Sequence, residues 1–268
     1  MSEPTLTNAP VISSVPAPEL AGDGPADARS TPRLTRVAGL KVGGLTPFSA
    51  TDYPGQLAAV VFVQGCPWRC GYCHNPHLQI RTEDSPLAWE QVLALLQRRV
   101  GLIDAVVFSG GEPTMDAGLE DAMREVRSLG FGVGLHTAGM YPRRLQAVLP
   151  LVDWVGLDIK ATPQAYDAVT RVTESAKAAW ASAGILLASG VAHEFRTTVH
   201  PDLHTEHDLL ALAQTLHAMG VRHYAMQVFR NTGCQNNDLA VLSAATYPSA
   251  ELIPKISALF DRFILRRE

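Results

Sequence analysis

Short apolar runs alternate with longer amphipathic stretches along the chain from residue 37 onward. Six apolar runs are compact and rich in Val, Ile, Leu or aromatic residues, which predicts buried strands at 57–64, 105–109, 132–137, 154–159, 194–199 and 224–229. Helical periodicity predicts helices at 86–99, 117–129, 142–149, 174–189, 205–219 and 248–260. A strand and helix repeated six times predict an α/β fold, specifically a partial (β/α)6 barrel with a parallel sheet.

The first residues of the chain have a different composition. Residues 1–36 are rich in Pro, Ala, Ser and Thr and hold few large apolar side chains. Such a segment buries too little surface to offset the entropy lost on ordering. We therefore expect a disordered N-terminal tail over 1–36 and a single domain over 37–268.

Composition narrows the classes of function. The chain of 268 residues is 47% hydrophobic and carries a formal net charge of -4, with its Lys and Arg residues scattered, so we expect no nucleic-acid partner. No apolar run reaches the roughly 20 residues that span a bilayer, and the N-terminus lacks the order of a signal peptide. We therefore expect a cytoplasmic protein that makes no membrane contact. Three of the four cysteines fall within eight positions, which suits a metal in a reducing compartment better than disulfides.

The cysteine triplet is the main candidate for chemistry. Cys66, Cys70 and Cys73 follow the first predicted strand with the spacing C-x3-C-x2-C, in a loop that also contains Gly and Pro. Thiolates are the usual ligands of iron-sulfur clusters. Three of them on a four-iron cluster would leave one iron open to a substrate. The spacing therefore favours a 4Fe-4S cluster with a chemical role.

Two other sites are compatible with these cysteines. A structural zinc site would need a fourth ligand from His74, His77 or Cys234, and such sites use paired CxxC knuckles more often than this triplet. Cys70 and Cys73 also form the CxxC of a redox thiol pair, but that interpretation leaves Cys66 unexplained. Cys234 has no second cysteine close in sequence, which is typical of a packed or loop thiol.

The triplet, with Tyr72 immediately before its last cysteine, resembles the signature of the radical S-adenosylmethionine (SAM) superfamily. The resemblance implies the partial barrel of the radical SAM type and a 4Fe-4S cluster on the three cysteines. It also implies that SAM chelates the fourth iron through its methionine amino and carboxylate groups. Tyr72 would then lie near the adenine.

Two later segments agree with this resemblance. Gly110, Gly111 and Glu112, followed by Pro, would be an ordinary turn if they stood alone. Coming after the triplet, they resemble the GGEP motif of the family, which implies contact with the methionine amino group of SAM. Thr137 ends the third predicted strand, where the family positions the ribose or methionine part of SAM. The neighbouring His136 is equally compatible with a buried core histidine.

Three charged residues fall at or near strand ends. Asp158 and Lys160 resemble the D-x-K of activating enzymes for glycyl radical proteins, which lies at the barrel mouth, but a plain ion pair explains them equally well. Arg196 lies inside a predicted strand, where a buried guanidinium needs an anionic or carbonyl partner. The resemblance implies that this partner is the carboxylate or ribose of SAM.

A longer resemblance covers residues 44–80. This stretch looks like the activating proteins of anaerobic ribonucleoside-triphosphate reductase, which implies reductive cleavage of SAM and formation of a glycyl radical on that reductase. The family also implies a flavodoxin or ferredoxin-type electron donor. The alternatives are an activator of pyruvate formate lyase, a radical enzyme for a small molecule such as a carboxy-deazaguanine synthase, and a non-catalytic iron-sulfur or zinc protein.

Overall fold

Eight strands form one sheet within residues 39–239 and 246–267, which are the residues that the computed structural model describes. The tail predicted over 1–36 lies outside them. The strands follow the order β1 to β8: β1 Val42–Ser49, β2 Ala58–Val63, β3 Ala105–Gly110, β4 Gly132–Thr137, β5 Trp154–Asp158, β6 Ala192–Val199, β7 His223–Val228 and β8 Arg262–Arg266. Strands β2 to β8 are parallel to their neighbours, and β1 is antiparallel to β2.

Helices connect most of the parallel strands. In the described part of the chain they are α1 Trp89–Gln97, α2 Leu119–Ser128, α3 Pro142–Val148, α4 Tyr166–Thr170, α5 Ser175–Ser189, α6 Glu206–Ala218 and α7 Leu252–Ser257. Helix α1 begins three residues later than predicted, because Leu87 pairs with Val42 and the Ser85 hydroxyl donates to the Val42 carbonyl. None of the described helices has the length and apolar character needed to cross a membrane.

The partial barrel predicted from the sequence is confirmed, and three elements are additional. All six predicted strands are present, so the α/β class and the parallel sheet stand as expected. Strand β1 was missed because Gly43, Gly44 and Pro47 weaken its strand pattern. Strand β8 and the five-residue helix α4 were missed because each is short. Strand β8 adds a seventh parallel strand at one edge of the sheet. Strand β1 pairs with β2 at the opposite edge.

Each strand directs alternate side chains outward to the helices and inward to the barrel lumen. On β2, Ala59 and Val61 pack in the large core under the helices, whereas Ala58 and Val60 form a smaller inner cluster with residues of β3. Tyr53 packs against this inner cluster and stacks on Trp154 with 5.3 Å between ring centroids. Small apolar side chains and Tyr53 therefore occupy the lumen beside β2 and β3.

The lumen beside β6 to β8 has charged walls instead. Glu194, Arg196 and Thr198 alternate along β6 on the inner side, while Phe195 packs in the outer core. Arg266 of β8 forms an ion pair with Glu194 at 2.8 Å. The barrel lumen is therefore lined by apolar side chains beside β2 and β3 and by charged side chains beside β6 to β8.

Candidate active site

The carboxyl ends of the parallel strands meet around a cavity of about 250 Å3. This is the end of a barrel at which the loops after the strands can bring several side chains together. Ten of the eleven residues singled out in the sequence line this cavity, namely Cys66, Cys70, Tyr72, Cys73, Gly110, Gly111, Thr137, Asp158, Lys160 and Arg196. Glu112 is the exception.

Backbone hydrogen bonds hold the cysteine loop against two neighbouring segments. The amide of Cys66 donates to the carbonyl of Gln79 at 3.1 Å, and the amide of Cys73 donates to the carbonyl of Cys70 at 3.2 Å. On the far side of the loop, the Arg69 amide donates to the Thr170 carbonyl at 2.9 Å. The loop is therefore tied to other segments at its start and near its middle, and its three thiols lie on the wall of one cavity.

The donor set of the cavity fits an iron-sulfur cluster. Burial raises the pKa of the Cys66 thiol to about 12 and also raises the pKa of Cys70, so both require a metal to become thiolates at neutral pH. All four cysteines of the chain are free. In residues 39–239 and 246–267, no three His, Cys, Asp or Glu side chains are grouped as a site for a single metal ion. Thiolates that hold a cubane bind separate irons, so they do not need to converge on one point.

Gly110 and Gly111 bring the second loop against the cysteine loop. Gly110 has a φ of 112°, and a Cβ there would lie 2.5 Å from the amide nitrogen of Val63. A Cβ on Gly111 would collide with the carbonyl oxygen of Gly65. The Gly111 amide donates to the Val63 carbonyl at 2.8 Å. Both glycines line the cavity. Their lack of a side chain is already explained by the close contact of their backbone with Val63 and Gly65, just before Cys66.

Glu112 does not reach the cavity in this structure. Its carboxylate is fully buried and accepts hydrogen bonds from the amide and hydroxyl of Thr114, from the hydroxyl of Thr137 at 2.6 Å and from the amide of Ala138 at 3.0 Å. Burial raises its pKa, and these donors oppose that shift. Glu112 therefore ties the loop after β3 to the end of β4.

Asp158, Lys160 and Arg196 form one charged group on the cavity wall. The Asp158 carboxylate accepts a hydrogen bond from Arg196 Nε at 2.9 Å and lies 3.7 Å from Lys160 Nζ. Burial on its own raises the pKa of Asp158, but the two cations hold it below its ordinary value. Arg196 Nη2 also donates to the Gly156 carbonyl at 3.2 Å. The protein thus supplies both the anionic and the carbonyl partner that the buried guanidinium needs.

Lys160 connects this charged group to the cysteine loop. Its ammonium lies 5.4 Å from the centroid of the Tyr72 ring, a cation–π geometry. Burial lowers the pKa of Lys160, but Tyr72, Cys70 and Asp158 raise it to a net value above normal. The Lys160 carbonyl accepts a hydrogen bond from Nε2 of the buried His204 at 2.8 Å. Lys160 is therefore a fixed cation beside the thiols.

His136 and Asp52 also line the cavity. The sequence pattern did not decide between a core role and a site role for His136, and it gave no indication of Asp52. His136 Nε2 bonds the Asp52 carbonyl at 2.8 Å; since a carbonyl only accepts, this nitrogen carries the hydrogen. Burial, with Arg196 nearby, lowers the pKa of His136 to about 3, so the ring is neutral. Thr198 lies on the wall as well. It follows Arg196 by two residues on the same strand, so the sequence could have predicted that both side chains face the cavity.

A second cavity of about 450 Å3 adjoins the first. The two share wall residues, and the second extends past Trp154 and Glu194 at the other end of the strands. Shared by both walls are Asp52, His74, His136, Arg196, Thr198 and Gln227. Three thiols, two glycines and a charged group thus face a space that continues into the barrel lumen.

The class of protein follows from this geometry and from comparison with known families. Residues 60–216 match the model of the radical SAM superfamily, and the chain belongs to that superfamily. It is a radical SAM enzyme whose cofactors are a 4Fe-4S cluster and SAM. Cys66, Cys70 and Cys73 line the cavity together, as the sequence predicts for a cluster site.

The relatives narrow the class further. A Methanocaldococcus jannaschii protein, provisionally named a glycyl-radical enzyme activating enzyme, is 30% identical over 84% of this chain and 95% of its own length. Pyruvate formate-lyase-activating enzyme of Clostridium pasteurianum is 33% identical over 45% of this chain and 52% of its own. The crystal structure of QueE from Escherichia coli covers 85% of this chain and 94% of that one, with a TM-score of 0.52 and 18% identity, and it supports the fold alone. The chain is thus a homologue of glycyl-radical enzyme activating enzymes.

Proposed function

We propose that this protein generates a glycyl radical on a partner enzyme, and that the partner is anaerobic ribonucleoside-triphosphate reductase. The carrying observation is that the cavity bearing the three cysteines adjoins a larger cavity in the lumen. A glycine loop of a partner could enter such a space, whereas a purely structural cluster would not need one. The similarity to an activating enzyme over 95% of that relative's length supports the activating role. The choice of reductase is supported by the resemblance of residues 44–80 to the activating proteins of that reductase.

The residues around the first cavity divide into three groups in this proposal. Cys66, Cys70 and Cys73 hold the cluster, and when bound, the reduced cluster and SAM together supply a radical able to abstract a hydrogen atom. For SAM itself, the proposed contacts are Tyr72, Gly110, Gly111, Thr137 and Arg196. Glu112 acts on the same cofactor indirectly, by fixing the loop that carries the two glycines to the end of β4.

Asp158 and Lys160 are the proposed catalytic charges at the mouth. Arg196 holds the Asp158 carboxylate ionised, and Lys160 remains a cation. A fixed pair of opposite charges can orient an incoming peptide by hydrogen bonds to its carbonyl and amide groups. Substitution of either residue should reduce partner activation more than cleavage of SAM.

A second candidate function is radical chemistry on a small molecule. The observation that favours it is the Glu194–Arg266 ion pair, which places a nearly buried carboxylate and a partly exposed guanidinium on the wall of the second cavity. Such groups could orient a small charged substrate. An activator of pyruvate formate lyase is the third candidate, and it differs from our proposal only in the partner.

One anaerobic experiment separates these candidates. The protein is reconstituted with iron and sulfide, mixed with reductant, SAM and the anaerobic reductase from the same cells, and examined by electron paramagnetic resonance with an assay for 5'-deoxyadenosine. A glycyl radical doublet that is absent with Cys70→Ala supports the proposal. Formation of 5'-deoxyadenosine without the doublet would refute the choice of reductase. Neither product from a protein with an intact cluster would refute the activating role.

A further inference from the structure

We propose that Tyr166 and His204 are positioning residues, which hold Lys160 in place beside the cysteine loop. The inference rests on the proposed function, in which the Lys160 ammonium helps to orient the incoming partner. Lys160 lies two residues beyond Asp158, where β5 ends. Its amide donates to the hydroxyl of Tyr166 at 3.3 Å, and its carbonyl accepts from Nε2 of His204 at 2.8 Å. Two buried side chains therefore bind both backbone polar groups of Lys160.

Tyr166 connects Lys160 to the cysteine loop. Its side chain is fully buried at the start of α4, and its ring meets the Trp68 ring edge to face with 5.7 Å between centroids. Trp68 lies between the first two cysteines of the triplet and on the cavity wall. At the other end of the same helix, the Thr170 carbonyl accepts from the Arg69 amide at 2.9 Å. The short helix α4 thus contacts both the cysteine loop and Lys160, and it sets their separation.

His204 holds Lys160 from the loop after β6. Its amide donates to the His200 carbonyl at 2.9 Å, and its carbonyl accepts from the Tyr247 hydroxyl at 2.6 Å, so the backbone of His204 is itself fixed. Because Nε2 donates to a carbonyl, this nitrogen carries the ring hydrogen. Burial lowers the pKa of His204, which keeps the ring neutral. The ring therefore donates to Lys160 without adding a second positive charge behind the ammonium.

Packing alone does not account for a histidine at position 204. Its Nδ1 is buried, and none of the residues that the structure describes forms a hydrogen bond with it. A buried acceptor without a donor is destabilising. Local features that oppose stability are expected at functional positions more than in a core that serves packing alone. The hydrogen bond that the ring does make goes to Lys160.

The position of the ammonium depends on the backbone from which the Lys160 side chain starts. Nζ lies 3.7 Å from the Asp158 carboxylate and 5.4 Å from the centre of the Tyr72 ring. A shift of the Lys160 peptide changes both distances together. A misplacement of about 1 Å is enough to impair the orientation of a reactant. Loss of either hydrogen bond should therefore act on Lys160 rather than on the cysteines.

The first measurement is chemical labelling of Lys160 in the cluster-free protein with an amine reagent, followed by mass spectrometry. Lys160 is only 8% exposed, so it should react slowly in the wild type. The other three lysines of the chain serve as references in the same molecule, namely Lys41, Lys177 and Lys255. We expect Tyr166→Phe and His204→Met each to raise the labelling rate of Lys160 about fivefold relative to these references, the effect of one hydrogen bond on local opening. His204→Gln keeps a donor and should restore most of the protection.

The matched control for this measurement is Tyr224→Phe. Tyr224 is also buried, and its hydroxyl donates to the hydroxyl of Thr197 at 2.9 Å. Its loss should leave the labelling of Lys160 unchanged. An equal rise in this control would mean that the loss of any buried hydroxyl loosens the barrel, and it would overturn the inference. Unchanged labelling in both Tyr166→Phe and His204→Met would overturn it as well.

The second measurement connects this positioning with the proposed reaction. In the reconstituted protein with SAM and the reductase, the yield of glycyl radical per 5'-deoxyadenosine should fall about fivefold in Tyr166→Phe. Adding Tyr166→Phe to Lys160→Met should lower the yield no further than Lys160→Met alone, because both act through the same ammonium. A further fivefold fall in the double variant would show that Tyr166 acts independently of Lys160, against the inference. An unchanged yield in Lys160→Met would refute the orienting role in the proposed function, whereas the labelling alone decides whether Tyr166 and His204 position Lys160.

Discussion

The carboxylate of Glu112 accepts a hydrogen bond of 2.6 Å from the hydroxyl of Thr137, and this bond joins the loop after β3 to the end of β4. Together with the bond from the Ala138 amide at 3.0 Å, it fixes the relative position of two loops that lie on the cavity wall. A buried carboxylate is costly unless donors surround it, and Glu112 has four. Glu112 is therefore a positioning residue in this structure.

Replacing this carboxylate should affect both stability and cofactor binding. In Glu112→Gln, the amide nitrogen of the new side chain must face a hydrogen-bond donor, which leaves buried polar groups without partners. We expect the free energy of unfolding to fall by about 1–3 kcal/mol, measured by urea denaturation of the cluster-free protein. Binding of SAM to the reconstituted protein should weaken while the iron content stays normal.

The matched control for this variant is Glu120→Gln. Glu120 is exposed on α2 and pairs with Arg124 at 2.6 Å, so its loss should cost less than about 0.5 kcal/mol. Normal stability with lost SAM binding in Glu112→Gln would show instead that the carboxylate contacts SAM itself.

Gly156 leaves the space that the Arg196 guanidinium occupies. A Cβ on Gly156 would lie 2.6 Å from Arg196 Cζ, so Gly156→Ala must displace the guanidinium from Asp158. We expect a loss of about 1–3 kcal/mol in unfolding free energy, because the nearly buried Arg196 guanidinium loses its pairing with the partly exposed Asp158. Gly184→Ala is the control, because a Cβ there meets no atom within 4 Å in the interior of α5 and should stabilise the protein by about 0.5–1 kcal/mol. Equal stabilities of the two variants would contradict the role given to Gly156.

Local patterns in the sequence were sufficient for much of this site. The cysteine spacing and the order of the strands predicted the cavity residues, because the loops after parallel strands meet at one end of the sheet. The helix predicted at 205–219 was equally local, because it begins at a capping box formed by Thr205 and Asp208. The direction of the Glu112 side chain was not predictable, because it depends on Thr137, which is 25 residues further along the chain. Likewise, the Arg196 partner is Asp158 on the neighbouring strand, a pairing that requires the register of the sheet.

The three triplet cysteines and Cys234 should differ in metal binding. We expect Cys70→Ala to lose most of its iron and sulfide after reconstitution, because a cluster with only two thiolates is poorly held. Cys234→Ala should retain both, because Cys234 lies off the cavity wall and its Sγ contacts the Gly71 carbonyl at 3.6 Å. Iron and zinc per chain are measured by elemental analysis. One zinc per chain, lost in both variants, would instead identify a four-ligand zinc site.

His136 should make the stability of the cluster-free protein depend on pH. Burial lowers its folded-state pKa from 6.5 to about 3, so between these values the unfolded chain binds a proton that the folded protein does not. Stability therefore falls as pH drops below about 6.5, by at most about 1.4 kcal/mol per pH unit. We expect the wild type to lose about 1–2 kcal/mol more than His136→Gln between about pH 7 and pH 5, measured by urea denaturation. The control is His223→Gln at an exposed position. The same pH dependence in the wild type and His136→Gln would show that His136 is protonated in the folded state.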